Sequence, residues 1–326
     1  MTVTPPGDDR CNPENTVTHI LPGSDASTAL RRLQRELDHF TDMAVDLLPR
    51  PGQLPEIASI DVYGGTMPLS GEVGGDHIIY VDFKQRFDLR ARIARAEAQG
   101  RPDIADNLRR CERTAGIALV DVSGHRVSDA LLAAVFHQAF LVGAAYELDA
   151  SGQITRHLFE NLNTRFHQSS GAHKFISLLY GEISADSTFR FLSAGHPFPA
   201  VFSNRHDRFM DVSPELCRSF PPLGIQPLFD TIDREVLGDA ALGFKDHYQT
   251  NEWTLMGAGD ILLLHTDGLT EHQRGVESYV PSRLEDVLRH VKHQSAQAIY
   301  EAIRSDMLAF ADPTDDISLV VVKKLV

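Results

Sequence analysis

Two stretches of this chain, FISLLYG (175–181) and ILLLH (261–265), are apolar on both alternating faces. A strand of that kind must be covered on both sides, because an exposed face would put a row of leucines and isoleucines in water. Candidate strands run over 57–63, 77–83, 115–122, 174–183, 188–194, 200–203, 260–266 and 316–323, each bounded by Gly, Pro, Asp or Ser. Amphipathic helices lie between them. The segment 128–146 carries Leu131, Leu132, Val135, Phe136 and Phe140 at helical spacing. Ser282 and Glu285 have capping-box spacing before Leu284, Val287, Leu288 and Val291, and Ser295 stands as the cap of a further helix reaching Phe310. Strands mixed with helices, without strict β-α alternation, point to an α+β fold of packed sheets flanked by helices.

The chain has 326 residues, 42% of them hydrophobic and 23% charged, enough for one large domain or two smaller ones. Residues 1–24, rich in Pro, Gly, Asp, Asn and Thr, read as a disordered tail. A helix is expected over 25–48, within an N-terminal region 25–50. Its Leu30, Leu33, Leu37, Phe40, Ala44 and Leu47 step at heptad spacing. That stripe suits either a dimer or regulatory helix or packing on the chain's own domain. Pro49 and Pro51 end it, since proline lacks the N–H that a continuing helix needs. The rest, 51–326, reads as one domain. Within it, 84–114 is dense in charge and reads as two short helices broken at Gly100-Arg101-Pro102.

The formal net charge of −14 argues against a nucleic-acid partner, because phosphate backbones repel such a surface. No uninterrupted apolar run approaches the roughly 18 residues of a membrane span. The N-terminus lacks a basic patch followed by an apolar core, so no secretory signal is expected. Cys11, Cys111 and Cys217 are too far apart for a zinc finger or a disulfide framework, which suggests a reducing, cytoplasmic setting.

The chemistry-bearing residues are aspartates at strand edges. Asp76 precedes HIIYVDF, Asp121 ends the strand through Val120, Asp267 follows ILLLHT, and Asp315-Asp316 precede ISLVVV. Each alone reads as an ordinary turn or strand-start residue. Gathered in one pocket they would repel strongly, and a divalent cation would remove that repulsion. An all-oxygen set suits Mg²⁺ or Mn²⁺ rather than Zn²⁺.

Seven ordered motifs give these aspartates a context: VGGD (73–76), ALVDVSGH (118–125), FISLLYG (175–181), LSAGHPFPAVF (192–202), PPLGI (221–225), ILLLHTDGLTE (261–271) and DDISLVVV (315–322). Together they resemble the SpoIIE/RsbU-type serine phosphatases, a branch of the PP2C-like PPM superfamily, over roughly residues 40–324. The resemblance implies a PP2C-like β-sandwich flanked by α-helices on both faces, entered through an N-terminal linker helix. It implies a site of two ions, Mn²⁺ or Mg²⁺. Asp121 would bridge them with the Val122 carbonyl nearby, Asp76 would serve one ion, and Asp267 with Asp315 the other, Asp316 being the alternative to Asp315. A water activated there would attack the phosphorus directly. The implied substrate is phosphoserine or phosphothreonine on a regulatory partner, an STAS-domain anti-sigma-factor antagonist being the type.

The chain departs from the family pattern in places. Arg126 and Ser128 stand where Gly and a small residue are usual, and Arg126 reads as either a phosphate contact or a solvated helix-start residue. His125 is a candidate proton donor, whereas His196 reads first as a hydrogen-bonded turn histidine. Asp82 falls too late to be a ligand. The segment 84–114 is a helical insertion between two ligand motifs. That spacing leads us to expect a lid or docking element beside the site, or else a solvated surface hairpin. Two other functions share the features: a phosphatase-fold scaffold with little turnover, and a two-metal hydrolase of another phosphate ester.

Overall fold

The doubly apolar stretches become central strands of two sheets in a computed structural model that describes residues 26–45, 54–69, 73–124, 127–169, 174–229, 242–254 and 256–325. The expected tail 1–24 lies outside the described residues. The N-terminal helix α1 spans Ala26–Val45. The sheet strands are β1 (Ile60–Met67), β2 (Asp76–Asp82), β3 (Thr114–Val122), β4 (Ile176–Ser184), β5 (Phe189–Ala194), β6 (Ala200–Ser203), β7 (Arg208–Phe209), β8 (Ser219–Phe220), β9 (Asn251–Trp253) and β10 (Ile261–His265), with β13 (Ile317–Lys324) last. One sheet has the order β2-β3-β4-β5-β8 with β9 added beside β5, and the other β1-β13-β10-β6-β7. Pairing is antiparallel except between β5 and β8.

The two sheets face each other through Ile78, Ile117, Leu119, Leu179 and Phe191 on one side and Val62, Leu262, Leu264, Val320 and Val322 on the other. The opposite faces are covered as well, which is why the strands show no in-out alternation. Helices α5 (Val127–Ser151) and α6 (Arg156–Ser169) cover the six-stranded sheet with Phe136, Phe140, Leu158, Phe159 and Phe166. Helices α8 (Ser282–Val291) and α9 (Ala296–Phe310) cover the other with Leu284, Leu288, Ile299, Ile303 and Met307. The result is the expected α+β sandwich with helices on both faces.

Several local expectations need correction. The first strand begins at Ile60, not residue 57, because Ser59 turns the chain with φ 65° and leaves Ile57 only an isolated bridge to Ile60. The capping box at Ser282 does not form. Pro281 is the cap residue without a side-chain bond, and Glu285 instead accepts the Phe209 amide at 2.7 Å and pairs with Arg289. Ser295 does cap α9, accepting the Ala298 amide at 3.3 Å. Helix α6 was not foreseen. Among the described residues one helix, Asp129–Ser151, is long and apolar enough to cross a membrane, which an uninterrupted-run criterion overlooks. Here its Phe136, Phe140, Ala144 and Leu148, spaced by four, are buried in the core.

The charged segment forms α2 (Phe83–Arg86), α3 (Leu89–Ala98) and α4 (Pro102–Cys111). Its apolar stripe, Leu89, Ala96, Ala105, Leu108 and Cys111, is buried in the same core as α5. Arg101 and Asn107 donate to the last carbonyls of α5, at Ala150 (2.7 Å) and Ser151 (2.7 Å), supplying partners to acceptors that a helix end leaves open. The segment is therefore the surface hairpin of the two expectations, its charged face in solvent and its apolar stripe in the core, and it is not a neighbour of the carboxylates. It joins the end of β2 to the start of β3, whose register sets Asp76 opposite Asp121 at one end and Asp82 opposite Ala115 at the other. Six residues of strand, about 20 Å, separate the insertion from the candidate site.

Candidate metal centre

Asp76 and Asp121 are neighbours because β2 starts where β3 ends. Asp267 begins α7 (Asp267–Thr270), directly after β10 and Thr266. Asp315 and Asp316 immediately precede β13, the neighbour of β10. Between these two follow a small ribbon, β11 (Gln273–Arg274) with β12 (Glu277–Ser278), and helices α8 and α9. The five carboxylates thus come from both sheets and lie close enough, where the sheets adjoin, to repel one another. Thr266 ties that seam: its hydroxyl donates to Asp76 Oδ2 at 2.7 Å and accepts the Ser318 amide at 2.9 Å.

The adjacent pair 315–316 divides into two roles. Asp316 is buried, and its carboxylate accepts the Leu69 amide at 2.6 Å and the Gly75 amide at 2.7 Å. It holds the loop before β2 in place. Gly74 is required there, since a Cβ on it would lie 2.1 Å from an Asp316 carboxylate oxygen. At Gly75 a Cβ would lie 2.6 Å from the Val122 carbonyl, so that carbonyl is approached only by a bare α-carbon. Asp315 is half-buried, accepts the Asp316 amide at 2.8 Å, and lies near enough to Asp121 and Asp267 to repel both.

The charges reinforce one another. Burial, then the Asp121 charge, holds the Asp76 carboxyl well above the usual carboxylate range. Burial, then Asp267 and Asp315, pushes Asp121 up to about 7. Burial, then Asp315, raises Asp267. Among the described residues, no cationic side chain is one of the main causes of these shifts. Such a gathering of hard oxygen donors fits a divalent cation. Among the described residues, no three Asp, Glu, His or Cys groups converge on one point as a ready-made cage.

Of the remaining expected residues, His125 and Arg126 lie outside the described residues. His196 is buried, with Nδ1 2.9 Å from Ser177 Oγ, and burial followed by the nearby His265 lowers it to about 3. A neutral, enclosed imidazole is a turn histidine in this fold rather than an exposed acid. Two residues that sequence reading missed act on Asp121 and its loop. Ser177, opposite Asp121 in the β3–β4 register, donates to Asp121 Oδ2 at 3.3 Å. Lys174 donates to the Ser123 carbonyl at 2.6 Å and pairs with buried Asp129 at 2.7 Å. Only strand register reveals Ser177, which one sequence does not supply. Ser177→Ala is expected to lower turnover about fivefold and to weaken apparent Mn²⁺ affinity at mildly acidic pH, because one neutral hydrogen bond to Asp121 is lost. Steady-state kinetics against Mn²⁺ concentration at two pH values check this.

A sequence model of the family described as Stage II sporulation protein E (SpoIIE) matches residues 112–325. A search of curated proteins finds no match. Among solved structures, the RsbU and RsbW domains of a Mycobacterium tuberculosis protein align at TM-score 0.57 and 17% identity, covering 85% of this chain and 64% of that one. The PP2C phosphatase domain of Bacillus subtilis SpoIIE, with a fragment of its regulatory domain, aligns at 0.54 and 15%, covering 82% and 64%. The SiaA-PP2C domain of Pseudomonas aeruginosa aligns at 0.58 and 14%, covering 91% and 99%. The chain thus spans 64% of the length of the first two. At these identities the structural likenesses speak for the fold alone, whereas the sequence match covers most of the chain. With its carboxylate-bearing strand ends and its four-layer sandwich, the chain belongs to the SpoIIE family, and its fold is that of the PP2C phosphatase domains it aligns with.

Proposed function

We propose that the protein is a metal-dependent serine/threonine phosphatase acting on a phosphorylated regulatory protein. The observation that carries this reading is the electrostatic proximity of Asp76, Asp121, Asp267 and Asp315 from two sheets, with burial and mutual repulsion raising three of them. Asp121, Asp267, Asp315 and the Val122 carbonyl would hold Mn²⁺ or Mg²⁺, two ions in number, and Asp76 would complete the set. Held there, such ions would supply positive charge for phosphoryl oxygens and would lower the pKa of a bound water, the expected nucleophile. The protein's part is to hold the carboxylates in place: Thr266 fixes Asp76, Ser177 orients Asp121, and Asp316 anchors the Gly74-Gly75 loop. His125 and Arg126 remain in the reading as proton donor and phosphate contact.

The substrate class rests on the motif resemblance, which favours an STAS-domain antagonist. The same reading places the protein in the cytoplasm, with tail 1–24, helix 25–50 and phosphatase domain 51–326. The heptad stripe of the helix favours a homodimer. Truncation of residues 1–48 is expected to change oligomeric state, read by light scattering.

The spread of the carboxylates favours one rival, a phosphatase fold that binds partners with little turnover. Phosphate release from a phosphoserine STAS protein and from a small aryl phosphate decides between them. Release is expected with Mn²⁺, to be lost in EDTA, and to be restored on adding Mn²⁺ back. Loss in both Asp121→Ala and Asp267→Ala supports the phosphatase. Partner binding with no release in Mg²⁺ or Mn²⁺ supports the rival.

A further inference from the structure

The carboxylates occupy one end of the six-stranded sheet. At the other end lies a cavity of 420 Å³, walled by α4 of the insertion, the start of β3, the β4–β5 turn and β9. A second cavity of 370 Å³ adjoins it, sharing Gln153 and Arg190. These volumes fall in the range that holds small organic ligands.

In a chain of net charge −14, this region collects arginines. Arg110, Arg113 and Arg190 line the first cavity, and Arg156, Arg190 and Arg218 the second. Of the three carboxylates in the first cavity, Glu182 and Asp186 are already engaged. Glu182, largely buried, pairs with Arg190 at 3.2 Å and accepts the Tyr180 hydroxyl at 2.9 Å. Asp186 accepts the Ser184 hydroxyl and the Thr188 amide within its own turn. Glu252 stands opposite Arg190 in the β5–β9 register. Among the described residues, the Arg110 guanidinium donates only to Asn107, and no hydrogen bond or ion pair engages the Arg113 guanidinium. Two planar, permanently charged forks therefore face a roomy polar hollow with donor capacity to spare. That geometry suits phosphate oxygens, which guanidinium binds in pairs of parallel hydrogen bonds.

We propose that this cavity is a binding site for a small phosphorylated ligand of nucleotide size, distinct from the carboxylate cluster and created by the helical insertion. The proposal does not depend on the phosphatase reading.

The test is calorimetric titration of the full chain in EDTA, which removes metal-bridged binding at the carboxylates. The probes are inorganic pyrophosphate, AMP, ATP and adenosine. Phosphate-bearing probes are expected to saturate with a dissociation constant tighter than about 1 mM, and adenosine not to bind. Arg113→Glu, which removes no contact among the described residues, is expected to weaken binding at least about tenfold, and Arg110→Gln to weaken it by a similar factor. Asp121→Asn is expected to bind as the parent does. No saturable binding by any anion, binding undiminished in both arginine variants, adenosine binding as tightly as ATP, or binding of a phosphoserine peptide but of none of these small anions would each overturn the proposal.

Discussion

Asp121→Asn is expected to abolish turnover, by about 10³-fold or more, while making the metal-free protein more tolerant of neutral and alkaline pH. The two effects share one cause. Asp121 sits where two sheets bring carboxylates together, and burial with Asp267 and Asp315 pushes it up to about 7. A carboxyl whose folded value lies above its unfolded value of about 4 holds its proton more tightly when folded. The stability from that proton is whole below pH about 4 and is lost as pH rises through about 7. Its upper bound is on the order of 4 kcal/mol. Asparagine carries no charge at any of these values, so the decline is expected to flatten in the variant. Thermal unfolding in EDTA from roughly pH 4 to 8 measures this. A parallel decline in parent and variant would show that Asp121 is not the group under strain. The loss of turnover follows because the amide contributes no negative charge to a site that needs it to bind cations.

The second large effect separates two adjacent aspartates. Asp316→Ala is expected to cost about 2–5 kcal/mol of folding stability, because it strips the Leu69 and Gly75 amides of a buried acceptor. Asp315→Asn is expected to leave stability nearly unchanged, or to raise it by relieving repulsion on Asp121 and Asp267, while reducing turnover about 10²-fold or more through weakened metal binding. Denaturant unfolding alongside Mn²⁺-dependent turnover reads both. Equal destabilisation by the two substitutions would contradict the division of roles read from their hydrogen bonds.

The strands were legible because doubly apolar stretches have few places to go. The carboxylates were legible as strand-edge residues within an ordered set of motifs. Asp315 and Asp316 were not separable, since only the fold shows which side chain turns toward the Gly74-Gly75 loop. Thr266 and Ser177 escaped notice because their importance lies in cross-strand register. The capping box failed by one residue of register, with Ser282 already inside the first turn. The misplacement of 84–114 was avoidable. Asp76 opens its strand and Asp121 closes the next, so an antiparallel pair puts whatever connects them at the far end. Sequence proximity to a ligand is no guide to spatial proximity when a whole strand intervenes.

The Asp316 latch joins residues 241 and 247 positions apart in the chain. The strand that it precedes, β13, lies inside its sheet between β1 and β10. A chain cut before residue 315 keeps Asp76 and Asp121 but has neither Asp315 nor Asp316, and its Gly74-Gly75 loop loses the carboxylate that grips it. The latch therefore closes only after contacts of long sequence separation have formed, which makes it a marker of completed folding rather than of local structure.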